Sequence, residues 1–211
     1  MRLYEGRTLM TNPRKVTLYL AEKGIEIERV VMDMRGGQGL TPEYLAKNPA
    51  GMVPILELDD GTFLSESAPI IEFLEELNPE PPMIGRTPVE RARTRAGDRI
   101  AGDFVMRNGG MLSNTHPFIP SVRPGYVQYP EIVPAFKGYR DKFLKLLEDR
   151  LSAHAFVAGD QVTIADCTLF SGLQVHHQLW DYEIPASAPN LRRWYERFAE
   201  RPSAAYTPPA Y

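Results

Sequence analysis

Pro54 is the residue that most constrains how this chain can fold. It is the second residue of Val53 to Leu58, a segment whose side-chain pattern predicts a central β-strand. Proline offers no N–H to a ladder, so sheet interiors normally exclude it, and its special role is a cis X-Pro bond at a tight turn. Pro54 therefore marks either an edge or bulge of the sheet, or a cis turn that something else requires.

The residues after Pro54 predict a hairpin and then a helix. The letters "ILEL" alternate, "DDG" is a turn sequence, and "TFL" is a short returning strand. The letters "SES", residues 65–67, then precede a helix whose apolar side chains fall on one buried face. Pro69 lies in the first turn of that helix, where proline is tolerated.

Composition limits the class of protein. The chain has 211 residues, 43% of them hydrophobic and 24% charged, and a formal net charge of −3. These values are typical of a soluble globular protein and give no electrostatic case for a nucleic-acid partner. A single cysteine excludes an internal disulfide, and we find neither a signal pattern nor an apolar run of membrane-spanning length. We expect a cytoplasmic protein without a membrane partner.

The first part of the chain predicts a βαβ unit. Residues 2–5 form a short strand, and the next helix has Asn12 at the N-cap, Pro13 at the first helical position and Gly24 at its end. A second strand follows at residues 25–32. The unit then continues through a loop at 35–39 and a short helix that begins at Thr41-Pro42 and ends near Asn48.

Strand patterns cease after the first 77 residues. We predict a first domain at 1–77, a proline-rich linker at 78–87 and an all-helical domain at 88–211. Capping boxes, Thr87 with Glu90 and Thr163 with Asp166, predict two helix starts. A loop at 116–130, a helix from Glu131 to Leu151 and a last helix after Asn190 are also expected.

These motifs together resemble the cytosolic glutathione transferase family, over the whole chain. The resemblance is carried by "NPAGMVPIL", by "SES" about a dozen residues later, by "LAEKG" at the end of the first helix, and by "FVAGDQVTIAD". It implies a thioredoxin-like N-terminal domain of α/β class, an all-α C-terminal domain and a homodimer. It also implies that Pro54 is cis and that Val53 turns its backbone N–H and C=O toward glutathione, as an added strand would.

The start of the helix after "SES" suits the γ-glutamyl end of glutathione. That group carries a carboxylate and an ammonium, so it needs anion-binding donors beside an acidic acceptor. Ser67 can bind the carboxylate through its N–H and hydroxyl, and Glu66 can take the ammonium. Taken alone, Ser65 or Ser67 would only cap the helix and Glu66 would only complement its dipole, and capping is compatible with binding.

The glutathione thiol would be activated at the start of the first helix. Free N–H groups there favour the thiolate, with Thr11 or Asn12 adding a hydrogen bond. Members of the family commonly place Tyr, Ser or Cys near this turn, whereas this chain has Met10 at that position. Thr8 is a weaker candidate, and the spacing places Tyr4 inside the strand. Asn12 could equally be a plain N-cap.

Other polar and reactive residues are less specific. Met52 stands where many relatives have Lys or Gln against the glycine carboxylate of glutathione. Gln38 and Lys47 are the candidates to replace it, with a solvated loop position as the alternative for each. Cys167 lies in the apolar pattern of a helix and is interpreted as a core residue. The adjacent His176 and His177 point apart on a helix, so no metal cofactor is expected.

Two function classes follow. The first is a glutathione transferase whose thiolate attacks a hydrophobic electrophile by conjugation, dehalogenation or ether cleavage, with glutathione as the co-substrate. Its acceptor pocket would lie between the domains, and helix spacing suggests as lining residues Met10, Phe104, Arg107, Met111 and His116. The second is a ligand-binding or interaction protein without catalysis, which the missing Tyr, Ser or Cys leaves open.

Overall fold

A computed structural model describes residues 1–123 and 125–205. The chain divides into two compact units. The N-terminal unit comprises Met1–Met83 together with residues 202–205, and the C-terminal unit comprises Ile84–Arg201. The boundary at Met83 falls within the segment predicted as a linker.

The N-terminal unit is a four-stranded mixed sheet with helices. Its elements are β1 (Arg2–Gly6), α1 (Thr11–Lys23), β2 (Glu28–Met32), a 3₁₀ turn (Gln38–Leu40), α2 (Pro42–Leu45), β3 (Ile55–Glu57), β4 (Phe63–Ser65) and α3 (Ser67–Leu77). The strand order is β2-β1-β3-β4, with β1 parallel to β2 and the other two pairs antiparallel. This arrangement confirms the predicted thioredoxin-like domain.

The sheet register fixes where the connecting segments meet. Tyr4 of β1 lies opposite Ile55 of β3, and Ile55 lies opposite Ser65 of β4. Because β3 runs against both neighbours, its start lies beside the last residues of β1 and of β4. The segments after β1, before β3 and after β4 therefore emerge at the same end of the sheet.

Tyr4 belongs to the sheet, as expected. It is 4% exposed and packs in a buried cluster with Tyr44, Val53 and Ile55. Its hydroxyl donates to a Glu57 carboxylate oxygen at 2.7 Å and accepts from the Lys47 ammonium at 3.1 Å. The Tyr4 side chain therefore belongs to a polar network on the sheet and not to the start of α1.

The C-terminal unit is all helical, as predicted. It contains α4 (Pro88–Ser113), α5 (Phe118–Val122), a 3₁₀ turn (Pro130–Ile132), α6 (Val133–Ala153), α7 (Ile164–Trp180) and α8 (Pro189–Ala199). Helix α4 packs against both α6 and α7. Both predicted capping boxes are present, at the starts of α4 and α7. None of the helices described here is long and apolar enough to cross a lipid bilayer.

Several predicted element limits were wrong. Helix α1 begins at Thr11 with Met10 at the N-cap, so Asn12 is its second residue and Pro13 its third. The predicted C-terminal end is confirmed, because Gly24 adopts the left-handed conformation there, with φ 66°. The strand predicted from Val53 begins only at Ile55, since Pro54 has no N–H for the ladder.

The elements predicted near the end of the chain also needed correction. The loop expected at 116–130 includes the short helix α5 and part of a 3₁₀ turn. The two helices expected from Glu131 and after Asn190 begin at Val133 and Pro189.

Candidate functional site

Three predicted binding segments meet at one end of the sheet. Thr11 and Asn12 follow β1, Val53 precedes β3, and Glu66 with Ser67 follows β4. The register of the three strands places all of them at the end where Tyr4, Ile55 and Ser65 lie side by side. The N-terminal unit therefore brings together two helix starts and a stretch of backbone outside the ladder.

Val53 presents its backbone beside this end. The Val53-Pro54 peptide bond is cis, as predicted. Within residues 1–123 and 125–205, no main-chain hydrogen bond uses the N–H or C=O of Val53, and its side chain is buried against Tyr4. The two backbone groups that an extended peptide would pair with thus remain unused by the protein.

The residue before Val53 is held by two side chains that the sequence did not single out. The Met52 carbonyl accepts from the Tyr44 hydroxyl and from Asn48 Nδ2, each at 2.8 Å. Burial raises the pKa of Tyr44 to about 12, so its hydroxyl remains a donor at neutral pH. Asn48 is the first letter of the "NPAGMVP" motif, which is the only sequence signal for this role.

The start of α1 has two free N–H groups. The first main-chain bond of the helix runs from the Arg14 N–H to the Met10 carbonyl at 3.0 Å, and Pro13 has no N–H. The N–H groups of Thr11 and Asn12 therefore lack a helical partner, and Met10 supplies no side-chain cap. Such donors, at the positive end of a helix, favour an anion.

Met10 packs inward at this turn. Its side chain lies against the cluster around Tyr4, and its sulfur occupies the space that a Cβ on Gly6 would need. A side chain at position 6 would require the Met10 sulfur to shift. Met10 thus contributes packing, and an acceptor-lining role for it stays a prediction.

Glu66 and Ser67 form the start of α3. Glu66 is the N-cap and has a φ of 70°, which is uncommon for a residue with a Cβ and marks a constrained conformation. The Glu66 carboxylate is exposed, and no hydrogen bond or ion pair to it occurs in the described part of the chain. Ser67 is 8% exposed, so its hydroxyl is a nearly buried group beside the free N–H groups of α3.

The residues considered for the glycine carboxylate of glutathione lie nearby. Gly39, in the 3₁₀ turn, approaches the Gly51 carbonyl so closely that a Cβ there would lie 2.5 Å from that oxygen. This contact holds Gln38 close to the segment before Met52. Gln38 Oε1 accepts from the Asp33 N–H at 2.7 Å, and the Met52 side chain is 59% exposed. Their binding roles stay predictions.

The remaining acceptor candidates belong to the C-terminal unit. Phe104 is fully buried and so serves the core, which leaves it no surface for an acceptor. The Arg107 guanidinium lies 5.2 Å from the centre of the Tyr139 ring, and Nη2 is 3.4 Å from an Asp103 oxygen. Met111 is partly exposed.

His116 is fixed at both ring nitrogens. Nδ1 accepts from the Phe118 N–H at 3.2 Å, and Nε2 lies 3.3 Å from an Asp181 oxygen. Since Nδ1 accepts a hydrogen bond, the proton of the neutral ring is on Nε2, toward Asp181. Whether His116, Met111 or Arg107 contacts an acceptor stays a prediction.

Asp166 is a buried structural group. Its carboxylate accepts hydrogen bonds from the Val157 N–H at 3.0 Å, from the N–H and hydroxyl of Thr163 at 3.0 and 3.1 Å, and from Trp194 Nε1 at 3.1 Å. Burial raises the pKa of Asp166 to about 6, against the opposing effect of these four donors. The residue links the start of α7 to α8, and it is part of the C-terminal unit, not of the candidate site.

The histidine pair behaves as two unrelated side chains. His176 is 2% exposed, accepts a 3.0 Å hydrogen bond at Nδ1 from Asn108 Nδ2, and stacks on Trp180. Burial lowers its pKa to about 3. His177 is half-exposed and lies 3.3 Å from Glu183. The side chains in the described ranges contain no group of three or more His, Cys, Asp or Glu that could hold a metal ion.

Comparison with known proteins identifies relatives over most of the chain. The family model described as "Glutathione S-transferase, N-terminal domain" matches residues 9–77, and "Glutathione S-transferase, C-terminal domain" matches residues 123–202. Glutathione S-transferase 2 of Saccharomyces cerevisiae is 31% identical over 90% of this chain and 82% of its own.

Solved structures agree with this result. A glutathione S-transferase domain-containing protein of Marinobacter aquaeolei VT8 superposes with a TM-score of 0.86 at 32% identity, covering 97% of this chain and 100% of its own. Gtt2 of Saccharomyces cerevisiae gives a TM-score of 0.84 at 29% identity, covering 96% and 98%.

Proposed function

The chain belongs to the glutathione S-transferase family, and we propose that this transferase activates glutathione at the end of the N-terminal sheet, so that its thiolate sulfur forms a bond to a hydrophobic electrophile. The observation that carries the proposal is the convergence of Thr11 and Asn12, Val53, and Glu66 with Ser67 at one end of the sheet. Each group matches a different part of an extended tripeptide.

The chemistry of the three parts is complementary. The backbone of Val53 pairs with the cysteinyl unit as an added strand. Ser67 and the free N–H groups of α3 bind the γ-glutamyl carboxylate, while the exposed Glu66 carboxylate takes the ammonium. The sulfur then lies toward the start of α1.

Activation needs stabilisation of a thiolate. A free thiol has a pKa of about 8.5, and each unit of lowering requires about 1.4 kcal/mol of preferential stabilisation. The unpaired N–H groups of Thr11 and Asn12 supply donors that favour the charged form, with the Thr11 hydroxyl or the Asn12 amide as a further donor. The thiolate attacks the carbon of the electrophile and displaces a halide, an ether oxygen or an equivalent leaving group.

The acceptor and the assembly are part of the same proposal. A hydrophobic electrophile suits the partly exposed Met111 and Arg107, whose guanidinium lies over an aromatic ring, as lining residues. The enzyme would then have a role in detoxification or catabolism.

Family resemblance supports a homodimer in the cytoplasm. No residue-level feature singles out the dimer surface.

Steady-state kinetics test the proposal. Purified protein should conjugate glutathione to chlorodinitrobenzene, and a panel of alkyl halides and aryl ethers should then identify the preferred electrophile. A double variant, Val53→Pro with Glu66→Ala, removes one backbone donor and the carboxylate of the site and should lose glutathione binding in calorimetry. A protein that binds no glutathione under any condition would contradict the proposal.

A further inference from the structure

Arg14 is buried although its side chain carries a permanent charge. It is 4% exposed on α1. Its Nη2 donates to the Ala204 carbonyl at 2.7 Å and to the Ser203 carbonyl at 3.2 Å, and its Nη1 lies 3.4 Å from the Thr17 hydroxyl. The planar fork of arginine suits several acceptors at once, and carbonyls at the end of a turn carry partial negative charge. One side chain thus ties α1 to a segment 190 residues later.

A second contact holds the same segment. The Ser203 hydroxyl donates to the carboxylate of Glu22, which lies near the C-terminal end of α1. Residues 202–205, here termed the C-terminal anchor, consequently belong to the N-terminal unit although the all-helical unit precedes them. Helix α1 is therefore clamped along its length by the last described residues of the chain.

The main chain of Arg14 closes the first turn of α1. Its N–H makes the 3.0 Å bond to the Met10 carbonyl, and Pro13 has no N–H to make an alternative one. The direction of the two free N–H groups, those of Thr11 and Asn12, hence depends on where Arg14 is held. At about 1.5 Å of rise per residue, Asn12 and Arg14 are within one turn of each other.

We propose that Arg14, clamped by the C-terminal anchor, is a positioning residue that aims the N–H groups of Thr11 and Asn12 at the glutathione sulfur. The inference rests on the proposed function. Fixed donors stabilise a developing charge better than donors that must reorient, and the first turn of a helix otherwise frays.

The test compares Arg14→Met with the wild-type chain. The pKa of the bound glutathione thiol is measured from the ultraviolet absorbance of the thiolate, and calorimetry gives the glutathione Kd. The variant should raise that bound thiol pKa by about half a unit or more. Half a unit corresponds to about threefold less thiolate, so kcat at a pH below the thiol pKa should fall about threefold while the KM for the electrophile stays unchanged.

Lys23→Met is the matched control. Lys23 is a buried cation at the other end of α1, where it donates to the Pro81 carbonyl at 2.6 Å and pairs with Glu75. Its loss should lower thermal stability at least as much as Arg14→Met does, yet leave the bound thiol pKa unchanged. A merely structural role of Arg14 predicts the same result for both variants, and that result would overturn the inference.

Arg14→Lys keeps the test decisive if Arg14→Met does not fold. Lysine retains the charge but is a single ammonium in place of the fork, so it should leave the bound thiol pKa between the wild-type value and that of a free thiol. A wild-type value in Arg14→Lys would count against the inference. Failure of the wild-type chain to bind glutathione would instead contradict the proposed function, before Arg14 is tested at all.

Discussion

The Glu75 carboxylate of α3 accepts a hydrogen bond from the Met83 N–H at 2.7 Å. Its other oxygen accepts from the Tyr19 hydroxyl at 2.6 Å and lies 2.9 Å from the Lys23 ammonium. Glu75 is 5% exposed, so one buried carboxylate joins α1 and α3 to the point where the N-terminal unit ends.

Removing that group should be costly. Glu75→Ala removes the carboxylate that pairs with the Lys23 ammonium and accepts from the Tyr19 hydroxyl and the Met83 N–H. Breaking a buried pair in this way typically costs about 3 to 5 kcal/mol. We expect the free energy of unfolding, from urea titration, to fall by about that amount. Glu76→Ala, at the exposed neighbouring position, should change it by less than about 0.5 kcal/mol. Equal effects of the two substitutions would show that the Glu75 network does not form.

The capping carboxylate of α7 should matter to stability alone. Asp166→Ala leaves four donors, including Trp194 Nε1, without an acceptor in a fully buried position. We expect a loss of at least about 1 kcal/mol for the cap, with the buried donors adding to it. The glutathione Kd of the folded variant should remain unchanged. Asp160→Ala, at an exposed position, is the matched control, and an unaltered urea midpoint for Asp166→Ala would contradict the interpretation.

His176 and Asp166 should have opposite effects on how the free energy of unfolding changes in acid. The pKa of His176 is about 3 in the folded state, below its unfolded value of about 6.5. Its contribution to folding stability is therefore present above pH 6.5 and is lost as the pH falls toward 3. The pKa of Asp166 is about 6 in the folded state, above its unfolded value of about 3.9. Its contribution to folding stability therefore grows as the pH falls through 6. Between about pH 4 and 6 the two slopes should nearly cancel.

Replacing the histidine separates the two groups. Relative to the wild type, the free energy of unfolding of His176→Gln should rise as the pH falls from about 6 to 4, with slopes that differ by up to about 1.4 kcal/mol per pH unit. Urea titrations at several pH values measure it. His177→Gln, at the half-exposed adjacent residue, is measured in parallel as the control. Identical slopes for all three proteins would rule out a buried, neutral His176.

Sequence was sufficient where the signals are local. The capping boxes at Thr87 and Thr163 and the stop at Gly24 depend on residues within a few positions of each other, so they could be predicted. The start of α1 was misplaced because Thr11 and Asn12 are both capping types and proline prefers the first helical position. Proline is equally tolerated two residues later, since that N–H would also lack a partner.

Long-range contacts could not be predicted in this way. The bond from Arg14 to Ala204 joins residues 190 positions apart, and a buried arginine has no distinguishing pattern of its own in the sequence. Glu66 shows the opposite case. The position of Glu66 at the end of the sheet follows from the strand register. Its positive φ is set by the turn from β4 into α3, and glutamate is not a residue type from which a positive φ could be predicted.

Glutathione recognition should depend on Glu66. Its unpaired carboxylate is the group proposed for the γ-glutamyl ammonium, so Glu66→Ala should raise the glutathione Kd about tenfold, equivalent to about 1.4 kcal/mol. Isothermal titration calorimetry measures this. Glu43→Ala, an exposed carboxylate in α2, should leave the Kd unchanged. An unaltered Kd in Glu66→Ala would move the ammonium site elsewhere.

The last prediction concerns the residue that stabilises the thiolate. Bound glutathione should titrate below its free thiol pKa of about 8.5, because the start of α1 favours the anion. Asn12→Ala should raise the bound pKa if the amide side chain adds a hydrogen bond, and Thr11→Ala tests the hydroxyl in the same way. Asn12 is the second helical residue and not the N-cap, so its loss should leave the free energy of unfolding within about 0.5 kcal/mol of wild type.

Tyr4→Phe provides the contrast in this experiment. Its hydroxyl bonds Glu57 and Lys47 on the sheet, so its removal should cost stability without changing the bound thiol pKa. Thiolate absorbance across a pH series, with urea titrations in parallel, distinguishes the two effects. If Tyr4→Phe folds normally and is the only variant that raises the pKa of the bound glutathione thiol, a tyrosine stabilises the thiolate. The assignment to Thr11 and Asn12 is then wrong. If only the α1 variants shift it, the free start of that helix replaces the hydroxyl or thiol that relatives place at position 10.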